Sequence, residues 1–386
     1  MHIELVTSLK DVPSSDWDAL TGDHDPFCEH AFLQALEESG SVGGESGWTP
    51  VHVTVHDGTM LVGALPLYAK THSYGEYIFD FGWANAAHQM RLRYYPKLVS
   101  MTPFTPATGQ RFLVHPDRNR DEIVDALLLG VDEAVRAIKA SSVHLLFLNE
   151  DEREFMRARR GYAPRASVQF HWHNQGDKAF DDYLQRFRSE SRKQVRRERR
   201  KVAESGLRIR EVRGGELTSD EWSLLDQFYR DTCARKGSEP YLSETFFECL
   251  RASNAKDRLV AVLAEDGEKL VAATINFEKG AHLYGRYWGA LEAYDSLHFE
   301  LCYYRLIERA IRLGHTRFEA GAQGIHKLKR GLLPARVSSS HRIENERLRE
   351  AVFDYVAREA MGVDHEIAEL MKESPFHREH KDEPHE

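Results

Sequence analysis

The chain has 386 residues, is 41% hydrophobic and carries a formal charge of −9. That length suits two domains with cores of their own, and the net acidity excludes a general polyanion binder while leaving room for local cation clusters. No apolar run reaches the roughly 18 residues of a membrane helix and no early stretch is shaped like a signal peptide, so a cytoplasmic globular protein is expected.

In chain order, Cys28 comes first of four cysteines. With Cys233, Cys249 and Cys302 it forms no CxxC pair, which argues against a disulfide framework or a zinc knuckle, and no metal site is expected. "VHVTV" from Val51 leads into "DGTMLVGALPLY" at 57–68, an Asp-Gly between two apolar runs and hence a hairpin signal. Then "YIFDFGWA" at 77–84 predicts a Gly/aromatic strand, "DEIVDALLLGVDEAVRAIKA" at 121–140 a helix, and "VHLLFLNE" at 143–150 a strand. The second half repeats that order. "LVAVLA" from Leu259, "DGEKLVAATINF" at 266–277, "HLYGRYWGA" at 282–290, "LHFELCYYRLIERAIRLG" at 297–314 and "TRFEAGA" at 316–322 follow one another in the same roles. Two copies of one α/β unit are therefore predicted.

Between the copies lies "FRSESRKQVRRERRKVAESG", 187–206, a helix that Ser189 or Ser191 would cap and Gly206 would stop. From Arg192 to Lys201 it has seven cations against one acid, Glu198. Arg188, Arg192, Arg196 and Arg199 or Arg200 form one stripe at helical spacing, with Lys193, Arg197 and Lys201 beside it. From Lys372 the chain is nearly free of apolar residues and reads as a mobile charged tail.

An Asp-Gly hairpin, a central strand, a helix and another strand is the order of the Gcn5-related N-acetyltransferase fold. Two such units with a basic helical segment opening the second resemble the FemAB-like predicted N-acyltransferases. The likeness rests on "YYPKL" at 94, "PFTPATG" at 103, "FHWHN" at 170, "SRKQVRRER" at 191, "YGRYWG" at 284, "LHFELCYY" at 297 and "GAQGIHKLKRGLLP" at 321. It implies an α/β (α+β) fold of two tandem units, each a mixed sheet flanked by helices. The first unit would span 1–170, the second 171–371 with its basic helix at 187–206, and the tail 372–386. The implied activity is peptidoglycan-related transfer of an acyl or aminoacyl group to an amine of a small or carrier-linked acceptor. Acyl-CoA and aminoacyl-tRNA both stand as donors. Against the Gln/Arg-x-x-Gly-x-Gly/Ala phosphate loop of acyl-CoA enzymes, Arg286 and Gly289 fit, but Leu291 stands where a small residue is required. Glu292, Asp295 and Glu300 would repel a pyrophosphate there.

Such a transfer needs an unprotonated amine, a polarised carbonyl and a route for the departing proton. Glu300 is the candidate general base, with His298 and Cys302 four apart on the same helix. Glu319, His326 and His298 are further catalytic candidates: Glu319 ends a strand, and Gly321 and Gly324 then free the backbone to turn before His326. Lys327, Lys329 and Arg330 follow, suited to an anionic substrate or a carrier's phosphates. On the central strand, alternation puts His282, Tyr284, Arg286 and Trp288 on one face, where they would line an acyl or sugar pocket. In the first unit Trp83, Tyr94, Tyr95 and Lys97 would hold part of the acceptor. Arg192, Lys193, Arg196 and Arg197 would dock the phosphates of a nucleotide precursor or a tRNA. The alternative is a non-catalytic nucleotide- or RNA-binding module that uses the basic helix and the glycine-rich loop.

Overall fold

Two sheets organise residues 1–321 and 324–377, which this computed structural model describes. The smaller pairs His2–Val6, His52–Asp57, Met60–Leu65 and Leu113–Val114 in that order. Against it the helix Arg120–Ile138 lays Ile123, Val124, Leu127 and Val131. The larger sheet has eleven strands and crosses the molecule. It begins with Arg208–Arg213, Leu259–Asp266, Lys269–Lys279, His282–Ala290 and Arg317–Glu319 from the second half. It continues through Ala163–His173 and Leu333–Ile343 to Ser142–Leu148, Lys97–Ser100, Tyr68–Lys70 and Trp48–Pro50.

Both Asp-Gly hairpins form as the sequence predicts. Asp57 faces Met60 and Asp266 faces Lys269, and Gly58 and Gly267 take the left-handed backbone that a side chain disfavours. The second half then follows the expected order: central strand His282–Ala290, helix Leu297–Leu313 and parallel strand Arg317–Glu319. The first half departs from it at 77–84. There the chain forms no strand, and Phe81–Gln89 is a helix. The cause is Asp80, whose buried carboxylate accepts from Ser73, from Tyr94 OH at 2.5 Å and from Lys97 Nζ at 2.5 Å. Holding Asp80 against Lys97 at the start of the strand Lys97–Ser100 competes with the extended pairing its neighbours would otherwise favour.

The two halves share strands. Ala163–His173 pairs with Arg317–Glu319 through His171–His173 and with Leu333–His341 through Ala163–His171, so the position 170/171 falls inside one continuous strand. Leu333–Ile343, late in the chain, sits between Ala163–His173 and Ser142–Leu148 and is antiparallel to both.

The basic helix spans Ser189–Ala203. Neither serine caps it: Arg188 is at the N-cap without a side-chain capping bond, its N–H donating to the Pro375 carbonyl at 2.8 Å and its Nε to the Phe376 carbonyl at 3.0 Å. Val195, Glu198 and Val202 face inward, and Arg196, Arg197 and Arg200 face solvent. The expected tail begins docked, with Phe376 packed on Phe187 at a ring separation of 4.7 Å and His377 N–H donating to Arg186 O at 2.9 Å. Residues 378–386 of that tail lie outside the described residues. Among the described residues no helix is long and apolar enough to cross a membrane.

Candidate active site

The central strand His282–Ala290 pairs with its parallel neighbour only where His282–Tyr284 meet Arg317–Glu319. Past Tyr284 the two part. On its other edge the central strand carries a β-bulge: Ile275 faces Tyr287, Asn276 faces Gly285, and Arg286 has no partner across the ladder. The bulge overturns the alternation expected from sequence. Arg286 turns toward the first half, donating to Phe104 O at 2.5 Å and lying 5.9 Å from the Phe27 ring, where Tyr284 also packs. Trp288 turns the other way, onto the His298 ring at 5.2 Å.

A cleft of about 600 Å3 opens where the strands part. Gly285, Ala320 and Gly321 form its throat. Tyr77, Tyr229, Tyr241, Arg286 and Tyr287 line the side toward the first half, while Trp288, His298, Cys302, Tyr303, His326 and Lys327 line the helix side. Local structure explains the second group. The helix after the central strand has a π turn over Glu300–Tyr304, which breaks the regular spacing and brings Cys302 and Tyr303 to the cleft beside His298. A 3-10 turn, Ile325–Arg330, then presents His326 and Lys327, its entry at Gly324 being left-handed (φ 113°). His326 Nε2 is 2.9 Å from Tyr303 OH, and Lys327 Nζ donates to the Gly321 carbonyl at 2.7 Å.

Burial sets the protonation states. Burial, opposed by Cys302 and reinforced by the Lys236 charge, pulls Lys327 down to about 8. Burial, followed by the His326 and Arg330 charges, pulls His298 down to about 4. Burial and the Arg330 and Lys327 charges also hold His326 below its ordinary range, so both imidazoles are neutral at pH 7. Burial drives the Cys302 thiol far up. A Cys302 nucleophile with His298 as its base is thereby removed, because the thiol stays protonated.

Of the residues singled out from sequence, His298, His326, Lys327, Arg286 and Trp288 meet in this cleft. Glu300 does not. It is 2% exposed and ion-paired with Arg199 at 3.2 Å and Arg305 at 2.9 Å, so it has no free lone pair directed at a substrate. Glu319 is also fixed, accepting from Thr108 N–H at 3.1 Å beside Arg317 at 3.2 Å. Arg330 is buried against Glu198 at 2.8 Å and lies 3.3 Å over the Phe299 ring, whereas Lys329 is exposed. Trp83 belongs to a separate small core under the Arg165 guanidinium at 4.8 Å. Tyr95 OH meets Ser73 at 2.8 Å, and Lys97 is enclosed by Asp80 and Glu76. These first-half residues brace one another and do not reach the cleft. On the basic helix Arg192 is half-buried, Lys193 pairs with Glu190 at 3.0 Å, and Arg196 and Arg197 are exposed.

The phosphate-loop comparison also changes. Arg286 and Gly289 stand inside the strand, and Leu291 extends its pairing by donating to Val271 O at 2.8 Å. Two of the three acids that follow are neutralised by the basic helix, Asp295 by Lys201 at 2.5 Å and Glu300 by Arg199. Sequence reasoning missed Tyr229, Lys236 and Tyr241. The one signal open to it was Tyr229, Cys233 and Lys236 at i, i+4 and i+7 along and just past the helix Ser219–Arg235.

Two mixed α/β units with a cleft where parallel strands part define the tandem acetyltransferase-like class. The family described as peptidoglycan biosynthesis/recognition, FemAB-like, matches residues 8–378, and the chain belongs to it. Among solved structures, FemX is 12% identical with a TM-score of 0.56, the match covering 92% of this chain and 100% of FemX. L-PGS from Bacillus licheniformis is 10% identical with a TM-score of 0.55, covering 92% of this chain and 99% of that one. The C-terminal domain of a putative lysylphosphatidylglycerol synthetase from Agrobacterium fabrum is 10% identical with a TM-score of 0.53, covering 89% and 95%. At these identities the likeness is one of fold. No curated protein matches the chain.

Proposed function

We propose that this chain is a cytoplasmic N-acyltransferase that moves an acyl or aminoacyl group from an activated carrier, acyl-CoA or aminoacyl-tRNA, to an amine of a small or carrier-linked acceptor. The observation that carries the reading is the cleft between the parted strands, lined from both sides of the sheet, so that two reactants meet end to end at the Gly285–Gly321 throat. The acceptor nitrogen attacks the donor carbonyl, forming a C–N bond as the carrier's C–S or C–O bond breaks. Neutral His326, steadied by Tyr303, takes the amine proton and returns it to the leaving carrier. Lys327 faces the charge that develops on the carbonyl oxygen. The carrier's phosphates lie along Arg196, Arg197 and Arg200, on a helix tied to the segment after the central strand through Lys201–Asp295 and Arg199–Glu300.

Hydroxylamine serves as a general amine to test this, with hydroxamate formed from acyl-CoA or from aminoacyl-tRNA as the readout. His326→Gln and Lys327→Met should each lower the rate at least about a hundredfold in folded protein. Full rates in both variants would overturn the assignment. The outward arginines favour a second reading, a binding module without turnover. Salt-sensitive RNA binding together with no hydroxamate from either donor would establish it.

A further inference from the structure

Resting on the transferase reading, we propose that the group handed over in this cleft carries no ammonium: the donor is an acyl carrier and not an aminoacyl one. Lys236, Arg286 and Lys327 line the cleft against one carboxylate, Glu239; Lys236 and Glu239 are both exposed at the rim, which leaves Arg286 and Lys327 as the inner charges. Lys327 is 2% exposed, and among the described residues no carboxylate lies within ion-pair distance of it or of Arg286. Their polar contacts are backbone carbonyls, Gly321 O and Phe104 O. A buried cation without a counter-charge calls for an anion from the reactants. The oxyanion of the transfer step supplies one. An α-ammonium, two bonds from the same carbonyl, would instead enter the field of Lys327, and among the described residues the cleft wall offers it only the exposed carboxylate of Glu239.

The walls fit an uncharged group as well. Trp288, Cys302 and Tyr303 carry no charge at this depth, and the imidazoles of His298 and His326 are uncharged at neutral pH. The groups around Lys327 are thus Cys302 and His298 from the helix, Lys236 from the end of Ser219–Arg235, and His326 and Arg330 from its own turn. None of them is an acid.

Isosteric donor pairs on both carriers test the inference. Butyryl-CoA is compared with β-alanyl-CoA, and lactyl-tRNA with alanyl-tRNA, by kcat/KM for hydroxamate formation at pH 6.5 and 9. On whichever carrier reacts, the uncharged donor should win by at least about thirtyfold at pH 6.5. On the tRNA pair the gap should narrow at pH 9, where the α-amine (ordinary pKa about 8) and Lys327 are both largely deprotonated. Lys236→Gln should narrow it at pH 6.5 and, by removing a charge that helps lower Lys327, move the alkaline limb of the uncharged donor's profile upward. Equal or better use of alanyl-tRNA or β-alanyl-CoA would overturn the inference and leave the transferase standing. Failure of all four donors would remove the transferase reading and the inference together.

Discussion

Lys327 occupies surroundings that penalise its own charge. Because burial lowers its pKa to about 8, the unfolded chain holds that proton more tightly than the native one, so native stability rises with pH between about 8 and 10.5. Below that window the ammonium is a standing cost. Lys327→Met should therefore abolish transfer yet stabilise the protein at pH 7 by about 1–3 kcal/mol, read as a higher denaturant midpoint. An unchanged or lower midpoint would mean that the ammonium is better solvated than its burial indicates. The Gly324 turn drew notice in the sequence because glycines and cations after a strand's end suit a ligand site, and its histidine and lysine line the cleft. Glu300 and Glu319 misled for a physical reason: each is neutralised by an arginine, and the Arg199 partner of Glu300 lies on a helix that the sequence gives no reason to place there.

At the scale of elements, the bulge that frees Arg286 and the turn that carries His326 each depend on one tight contact. A Cβ on Gly289 would come 2.3 Å from Phe228 Cβ and 2.5 Å from its carbonyl oxygen. Gly289→Ala should cost about 1–3 kcal/mol in urea unfolding, because a helix backbone has to move. On the other side of the cleft, Glu198 receives Arg330 and the Tyr304 hydroxyl, and Arg330 NH1 donates to His326 O at 2.8 Å. Glu198→Ala leaves that guanidinium buried and unpaired, an expected loss of about 3–5 kcal/mol visible by calorimetry, with transfer falling as the turn loosens. Sequence patterns found the hairpins, the amphipathic helices and the basic helix, since these follow local rules of turn chemistry and periodicity. They could not find the bulge, whose extra residue breaks the period on which the pattern relies, or the helix at Phe81–Gln89, which Asp80's distant bond to Lys97 imposes.

Across the whole molecule the strands do not divide at the expected boundary between 1–170 and 171–371. One sheet runs through both, and the strand Ala163–His173 serves each. Calorimetry of the intact chain should give a single transition, and residues 1–170 expressed alone should unfold without a cooperative step. Two separate transitions would show that the shared strands are only weakly coupled.

The placement of Leu333–Ile343 also bears on how the protein is made. The first half's strand Ser142–Leu148 meets its antiparallel neighbour only after some 190 further residues have been synthesised, at about 5–20 residues per second. For many seconds a nascent chain carries an open strand edge beside an apolar core. Holding that edge against other nascent chains is work for the ribosome surface or a chaperone, and the N-terminal half reaches its final form only after Leu333–Ile343 has been made.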